Sequence, residues 1–70
     1  MNSYIVVFKN SDSNSIMDST AKIESMGGIV TDKLPIINGI VVEMSQSLAD
    51  SLESNQDIKY IEKNSEVSIN

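Results

Sequence analysis

The chain contains no cysteine and no histidine. Without cysteine, neither a disulfide nor a thiolate metal site can stabilise the fold, which fits a reducing compartment. The two absences also remove the usual nucleophile, the usual general base and the commonest metal ligand. We therefore predict that the protein is not an enzyme and that it holds no metal and no cofactor.

Arginine is absent as well, and five lysines against ten acidic residues give a net charge of −5. This charge has the wrong sign for binding phosphates, and the chain lacks the paired surface aromatics on which bases stack. Nucleic acid is therefore not an expected partner. The apolar run Tyr4–Phe8 lacks a basic flank and is too short for a signal peptide or a membrane span. We expect a cytoplasmic protein with no membrane partner.

The first half of the 70-residue chain predicts a strand followed by a helix. Apolar side chains fall at both parities of Tyr4–Lys9, which is typical of a central strand covered on both faces. The polar cluster Ser11–Ser15 is suited to start a helix. Gly27-Gly28 is suited to end it. Four residues of this helix recur at steps of four, three and three and are expected on its buried face: Ile16, Thr20, Ile23 and Met26.

The second half predicts a hairpin, a short helix, a fourth strand and a tail. Strands Ile29–Leu34 and Ile40–Met44 flank the turn signal Asn38-Gly39 and are expected to pair. Ser45 is placed to cap a helix, Ile58–Ile61 reads as a strand, and residues 62–70 read as an extended tail. Three residues of the short helix share its buried face: Leu48, Ala49 and Leu52.

The resulting order, βαββαβ, predicts an α+β, ferredoxin-like domain with a four-stranded antiparallel sheet, two helices on one face and an extended C-terminal tail. One domain is expected over residues 1–70, with a folded body over 1–61 and a tail over 62–70. Helices on one side leave the other sheet face open, and such a face is a natural docking surface. The fold alone does not identify the function.

Five segments together resemble the propeptides of subtilisins, and still more the free-standing fungal inhibitors of proteinase A and proteinase B. The segments are Tyr4–Lys9, Gly27-Gly28, Asn38-Gly39-Ile40, Tyr60-Ile61-Glu62 and Glu66–Asn70. None is specific alone, but they occur in order over essentially the whole chain. An inhibitor rather than a propeptide is expected, because the chain begins with its own methionine and ends where a mature protease would begin.

The resemblance implies a protein inhibitor of subtilisin-type serine proteases that is monomeric when free. The open sheet face would pack on two parallel surface helices of the protease, with Glu62 near their amino ends. The C-terminal segment would enter the active-site cleft as a product-like strand. Asn70 would fill the first specificity pocket, with Ile69, Ser68 and Val67 following outward and Val67 meeting the apolar fourth pocket.

The sequence departs from this family at two places. Lys63 and Asn64 stand where relatives tend to carry further acids, so part of the electrostatic contribution is expected to be lost or moved to Glu66. Ile40 stands where relatives often have an aromatic residue. Both differences concern affinity and leave the proposed mode of binding intact.

Simpler explanations remain for the same residues. Glu62 and Glu66 could be ordinary solvated surface charges, and Val67 and Ile69 could belong to a frayed terminus. Two other functions stay open: a folding assistant for a subtilisin-type protease, or a ferredoxin-like regulatory module that binds a small ligand. For the second, Gly27-Gly28 is the only candidate ligand loop.

Overall fold

The computed structural model describes residues 1–64. Its elements are β1 (Asn2–Phe8), α1 (Ser13–Ser25), β2 (Ile29–Leu34), a 3₁₀ turn (Pro35–Ile37), β3 (Gly39–Met44), α2 (Gln46–Leu52) and β4 (Ile58–Lys63). The strands form one sheet in the order β2-β3-β1-β4, and every neighbouring pair is antiparallel. The predicted ferredoxin-like βαββαβ fold is confirmed. Neither helix in the described part of the chain has the length and apolar character needed to cross a membrane.

Strand β1 lies in the interior of the sheet, between β3 and β4, as its apolar character at both parities predicted. Tyr4, Val6 and Phe8 point to the helix side, where they are buried. They form one hydrophobic core with residues from both helices, β3 and β4: Ile23, Ile40, Val42, Met44, Ala49, Leu52 and Ile58. Both helices therefore cover the same face of the sheet.

Helix α1 begins and ends by the expected chemistry. The Asp12 carboxylate accepts hydrogen bonds from the Ser15 backbone N–H and hydroxyl, and so caps the first turn. At the other end, Gly28 N–H donates to Ile23 O and Gly27 N–H donates to Glu24 O, the pair of bonds that defines a Schellman motif. These bonds end the helix, and β2 begins at the next residue, Ile29.

The predicted buried face of α1 is correct except at its C-terminal end. Ile23 is buried, and Ile16 and Thr20 are half-buried. Met26 is 47% exposed, so its expected place on the core face is wrong. It occupies the C-cap, where the backbone has already left helical geometry and the helical spacing no longer directs the side chain inward.

The predicted pairing of β2 with β3 is confirmed, and a 3₁₀ turn lies in the connection between them. Pro35–Ile37 forms the 3₁₀ turn, and Asn38 follows in the left-handed conformation with φ 54°. Asparagine tolerates this conformation better than most residues. The register shifts between Val30 and Asp32, so β2 contains a bulge.

Helix α2 and strand β4 complete the described chain. The Ser45 hydroxyl accepts from Leu48 N–H at 3.1 Å, and the predicted core face of α2 is confirmed, with Ala49 and Leu52 buried. Strand β4 runs to Lys63, two residues beyond its predicted end at Ile61. Glu62 and Lys63 are therefore part of the sheet. Pairing with β1 still holds at Asn64, whose N–H donates to Ser3 O at 2.9 Å.

Candidate functional site: the open face of the sheet

The face of the sheet opposite the helices carries an apolar surface drawn from all four strands. On β1, Ile5 and Val7 alternate with the core residues and so point away from the helices. The ladder pairs Ile5 with Val41, and it pairs Val7 with Tyr60. Directly paired residues of an antiparallel ladder share a face. We name this surface the open-face patch and define it by Ile5, Val7, Leu34, Val41 and Tyr60.

The centre of the open-face patch is packed even without a partner. Val7 is only 4% exposed although no helix covers it. It lies opposite Gly39, and a Cβ built on Gly39 would be 3.4 Å from both Val7 Cγ2 and Ile37 Cγ1. The nearest atom to that Cβ position is Val6 O at 2.9 Å, so the glycine permits the close approach of β1 and β3 beside Val7. Tyr60 flanks Val7 on the other side and is 45% exposed. The patch is therefore a preformed apolar surface.

Three carboxylates border the open-face patch, and we name them the acidic rim: Asp32, Glu43 and Glu62. Asp32 pairs with Val41, Glu43 with Ser3, and Glu62 with Ile5, so register puts all three on the open face. All three are exposed. An apolar centre with charged groups kept at the margin is the usual anatomy of a protein–protein interface.

The two lysines that belong to the strand ladders lie on the other side of the sheet. Lys33 pairs with the core residue Ile40, and Lys63 pairs with the core residue Tyr4. Their ammonium groups are therefore directed away from the open-face patch. Among the charged residues with a partner in the strand ladders, the carboxylates lie on the open side and these two lysines on the helix side.

Of the residues predicted from the sequence to contact a protease, only Glu62 lies within the described chain. It is exposed, on the edge strand β4, in register with Ile5. Glu66, Val67, Ser68, Ile69 and Asn70 lie outside the described residues. The structure therefore joins Glu62 to the open face.

Gly27-Gly28, the candidate ligand loop of a regulatory module, is accounted for by helix termination and packing. Gly27 has φ 104°, a conformation that favours glycine. Gly28 is buried, and a Cβ there would lie 2.7 Å from Ile23 Cγ2 and 3.0 Å from Val42 Cγ1. Each glycine has a structural reason that needs no ligand.

The described residues contain no cluster of three or more carboxylates placed to hold a metal ion. The open face has instead the means of binding a surface: packed apolar side chains, an accessible tyrosine and peripheral charges. The sheet also has two edge strands, because β2 and β4 each pair with a neighbour on one side only. An edge strand can receive an extended peptide through its free backbone groups.

Sequence reasoning missed several members of this surface. The parity of Val41, between Ile40 and Val42, could have assigned it to the open side. Asp32 and Leu34 could not have been assigned, because the bulge in β2 shifts their parity relative to Val30.

The chain matches no protein-family model and no curated protein.

Proposed function

We propose that the protein inhibits subtilisin-type serine proteases, docking by its open-face patch and placing residues 67–70 in the substrate cleft as a product-like strand. The observation that carries the proposal is the continuity between the two parts. The open-face patch reaches β4, Glu62 stands on that strand beside it, and β4 leads directly into the C-terminal residues.

The character of the open face supports docking on a pair of protease helices. A packed apolar centre suits burial against another surface, where buried apolar area contributes about 25 cal/mol per Å² before the costs of association. Helix amino ends carry partial positive charge and attract carboxylates. The acidic rim offers three, on three different strands.

The position of Lys63 bears on whether the electrostatic contribution to docking is lost, as the replacement of an acid by lysine suggested. Lys63 stands where relatives tend to carry an acid, but it pairs with Tyr4 on the helix side of the sheet. Its charge is therefore separated from the Glu62 carboxylate by the sheet. The contribution expected of Glu62 does not require an acid at the next position.

The chain beyond the sheet is long enough to act as a substrate-like strand. Six residues follow Asn64, and an extended chain of that length spans at most about 20 Å. Alternate residues of an extended strand point to opposite sides, so Val67 and Ile69 would face one way and Ser68 and Asn70 the other. A folded body holding this segment raises its effective concentration at the cleft, which slows its release.

The first experiment is a titration against subtilisin-type and chymotrypsin-type proteases, with the parent chain and a chain lacking residues 67–70. We expect inhibition of the subtilisin-type enzymes only, since docking needs their helix pair. The shortened chain should keep its circular dichroism spectrum and lose inhibition. Equal inhibition of both classes, or full inhibition by the shortened chain, would contradict the mechanism.

Two matched pairs of variants test the individual contacts. Val67→Asp should weaken inhibition far more than Ser68→Asp, because a carboxylate is costly in an apolar pocket. Glu62→Lys should raise the inhibition constant about three- to thirtyfold, an effect that added salt reduces. The control Glu53→Lys makes the same charge change on the helix layer, where Glu53 caps α2, and should leave inhibition nearly unchanged.

A folding assistant for a protease domain would use the same surface. Refolding of a denatured subtilisin-type protease with and without the chain distinguishes that activity from inhibition of the mature enzyme.

The proposal includes an intracellular site of action, which localisation of a tagged chain tests.

A further inference from the structure

The 3₁₀ turn between β2 and β3 presents an isoleucine almost wholly to solvent. Ile36 is 97% exposed, more than any other large apolar side chain among the described residues. Single exposed apolar residues are common and need no explanation by themselves. Ile36 differs because of how its turn is held and what it adjoins.

A proline and two backbone hydrogen bonds restrain the backbone around Ile36. Pro35 restricts φ at the start of the turn, and Asn38 N–H closes it by donating to Pro35 O at 3.2 Å. Asn38 O in turn accepts from Phe8 N–H at 2.9 Å, which ties the turn to the end of β1. A side chain on such a turn contacts a partner with less loss of backbone entropy than one on a flexible loop.

The apolar surface of the turn is continuous with the open-face patch. Ile37, next to Ile36, is 44% exposed. Its Cγ1 lies 3.4 Å from the place of a Cβ on Gly39, as does Cγ2 of Val7. Ile37 therefore borders the patch beside Gly39, and the exposed Ile36 is its neighbour in the chain.

The 3₁₀ turn and the end of β4 lie at opposite ends of β1. The turn is bonded to Phe8, whereas the chain leaves β4 beside Ser3. Phe8 is five residue steps along β1 from Ser3, a distance of about 17 Å. A protease covering the open-face patch along β1 would reach both ends.

We propose that Ile36 is an anchor that inserts into an apolar depression on the same protease, at the end of the interface farthest from the substrate cleft. The inference rests on the proposed function. It adds a third contact, so that the protease is held by the C-terminal segment at one end, by the open-face patch in the middle and by the 3₁₀ turn at the other.

The test is the inhibition constant of Ile36→Ser against a subtilisin-type protease that the parent inhibits. Burial of one isoleucine corresponds to a weakening of about ten- to a hundredfold. The change should lie mainly in the dissociation rate, as is usual for contacts inside one interface. Because Ile36 is exposed in the free protein, the melting temperature of the Ile36→Ser variant should stay within about 2 °C of that of the parent. Met17→Ser is the matched control, since Met17 is 68% exposed on α1.

A double variant separates a direct contact from an indirect effect. Ile36→Ser and Val67→Asp act at distant points, so their fold-changes should multiply. Inhibition by Ile36→Ser equal to the parent, alongside weakened inhibition by Val67→Asp, would overturn the anchor and leave the proposed function standing. A parent that inhibits no subtilisin-type protease would overturn both. Sedimentation showing a parent dimer that Ile36→Ser dissociates would also overturn it, because the occupant would then be a second copy of the chain.

Discussion

Replacing Leu52 with alanine tests how the short helix α2 is held on the sheet. α2 has only seven residues, and isolated helices of that length do not persist in water, so it depends on its packed face. Leu52 is 3% exposed and belongs to the core that includes Tyr4, Val6 and Phe8. Truncating a buried leucine to alanine loses about 2–5 kcal/mol, from the transferred atoms and the cavity left behind.

That loss is large beside the stability available to this chain. At about 0.05–0.15 kcal/mol per residue, 70 residues have roughly 4–10 kcal/mol of unfolding free energy. The cavity term depends on how far neighbouring side chains can relax. A loss of about 2 kcal/mol would leave even a parent of about 4 kcal/mol folded, whereas a loss of about 5 kcal/mol would leave the variant folded only if the parent exceeds that value.

Urea denaturation followed by circular dichroism measures the effect. With a slope near 1 kcal/mol per M for a small domain, the midpoint should fall by about 2 M or more at unchanged slope. Ile36→Ala is the control, because its side chain contacts mainly solvent and should shift the midpoint little. A Leu52→Ala midpoint as close to the parent as that of the control would refute the packing of α2 described above.

Two further substitutions test local features of the fold by the same measurement. Gly28→Ala should lose about 1–3 kcal/mol, because its Cβ would lie 2.7 Å from Ile23 Cγ2 in the core; a neutral result would show that α1 can shift to admit it. Ser45→Ala should lose about 1 kcal/mol through removal of the N-cap of α2, with Ser45→Asp restoring most of it; equal loss in both variants would argue against capping as the cause.

Patterns local to the sequence were sufficient for the order of the elements and for most of the core. The Asp12 region and Ser45 cap helices as short polar side chains do, and Gly27 ends α1 because glycine accepts positive φ. The helical spacing identified Ala49 and Leu52 as buried, and the apolar character of both parities identified β1 as a central strand. Each of these assignments depends on neighbours within about four positions.

Assignments that depend on a distant partner required the tertiary structure. Strand β4 extends to Lys63 because β1 supplies its backbone partners, and no local signal marks that end. Met26 is exposed because the Schellman bonds turn the chain at the end of α1. These are properties of pairing and capping geometry rather than of residue type.

The candidate site shows the same division. The resemblance to subtilisin propeptides implied that Glu62 is an acid near a docking face, and the order of the elements predicted that one sheet face would lack helices. Only the sheet register brought Glu62 beside Ile5 and directed Lys63 to the other side. The bulge in β2 likewise decided that Asp32 joins the acidic rim, because one extra residue reverses which face every later side chain of a strand occupies.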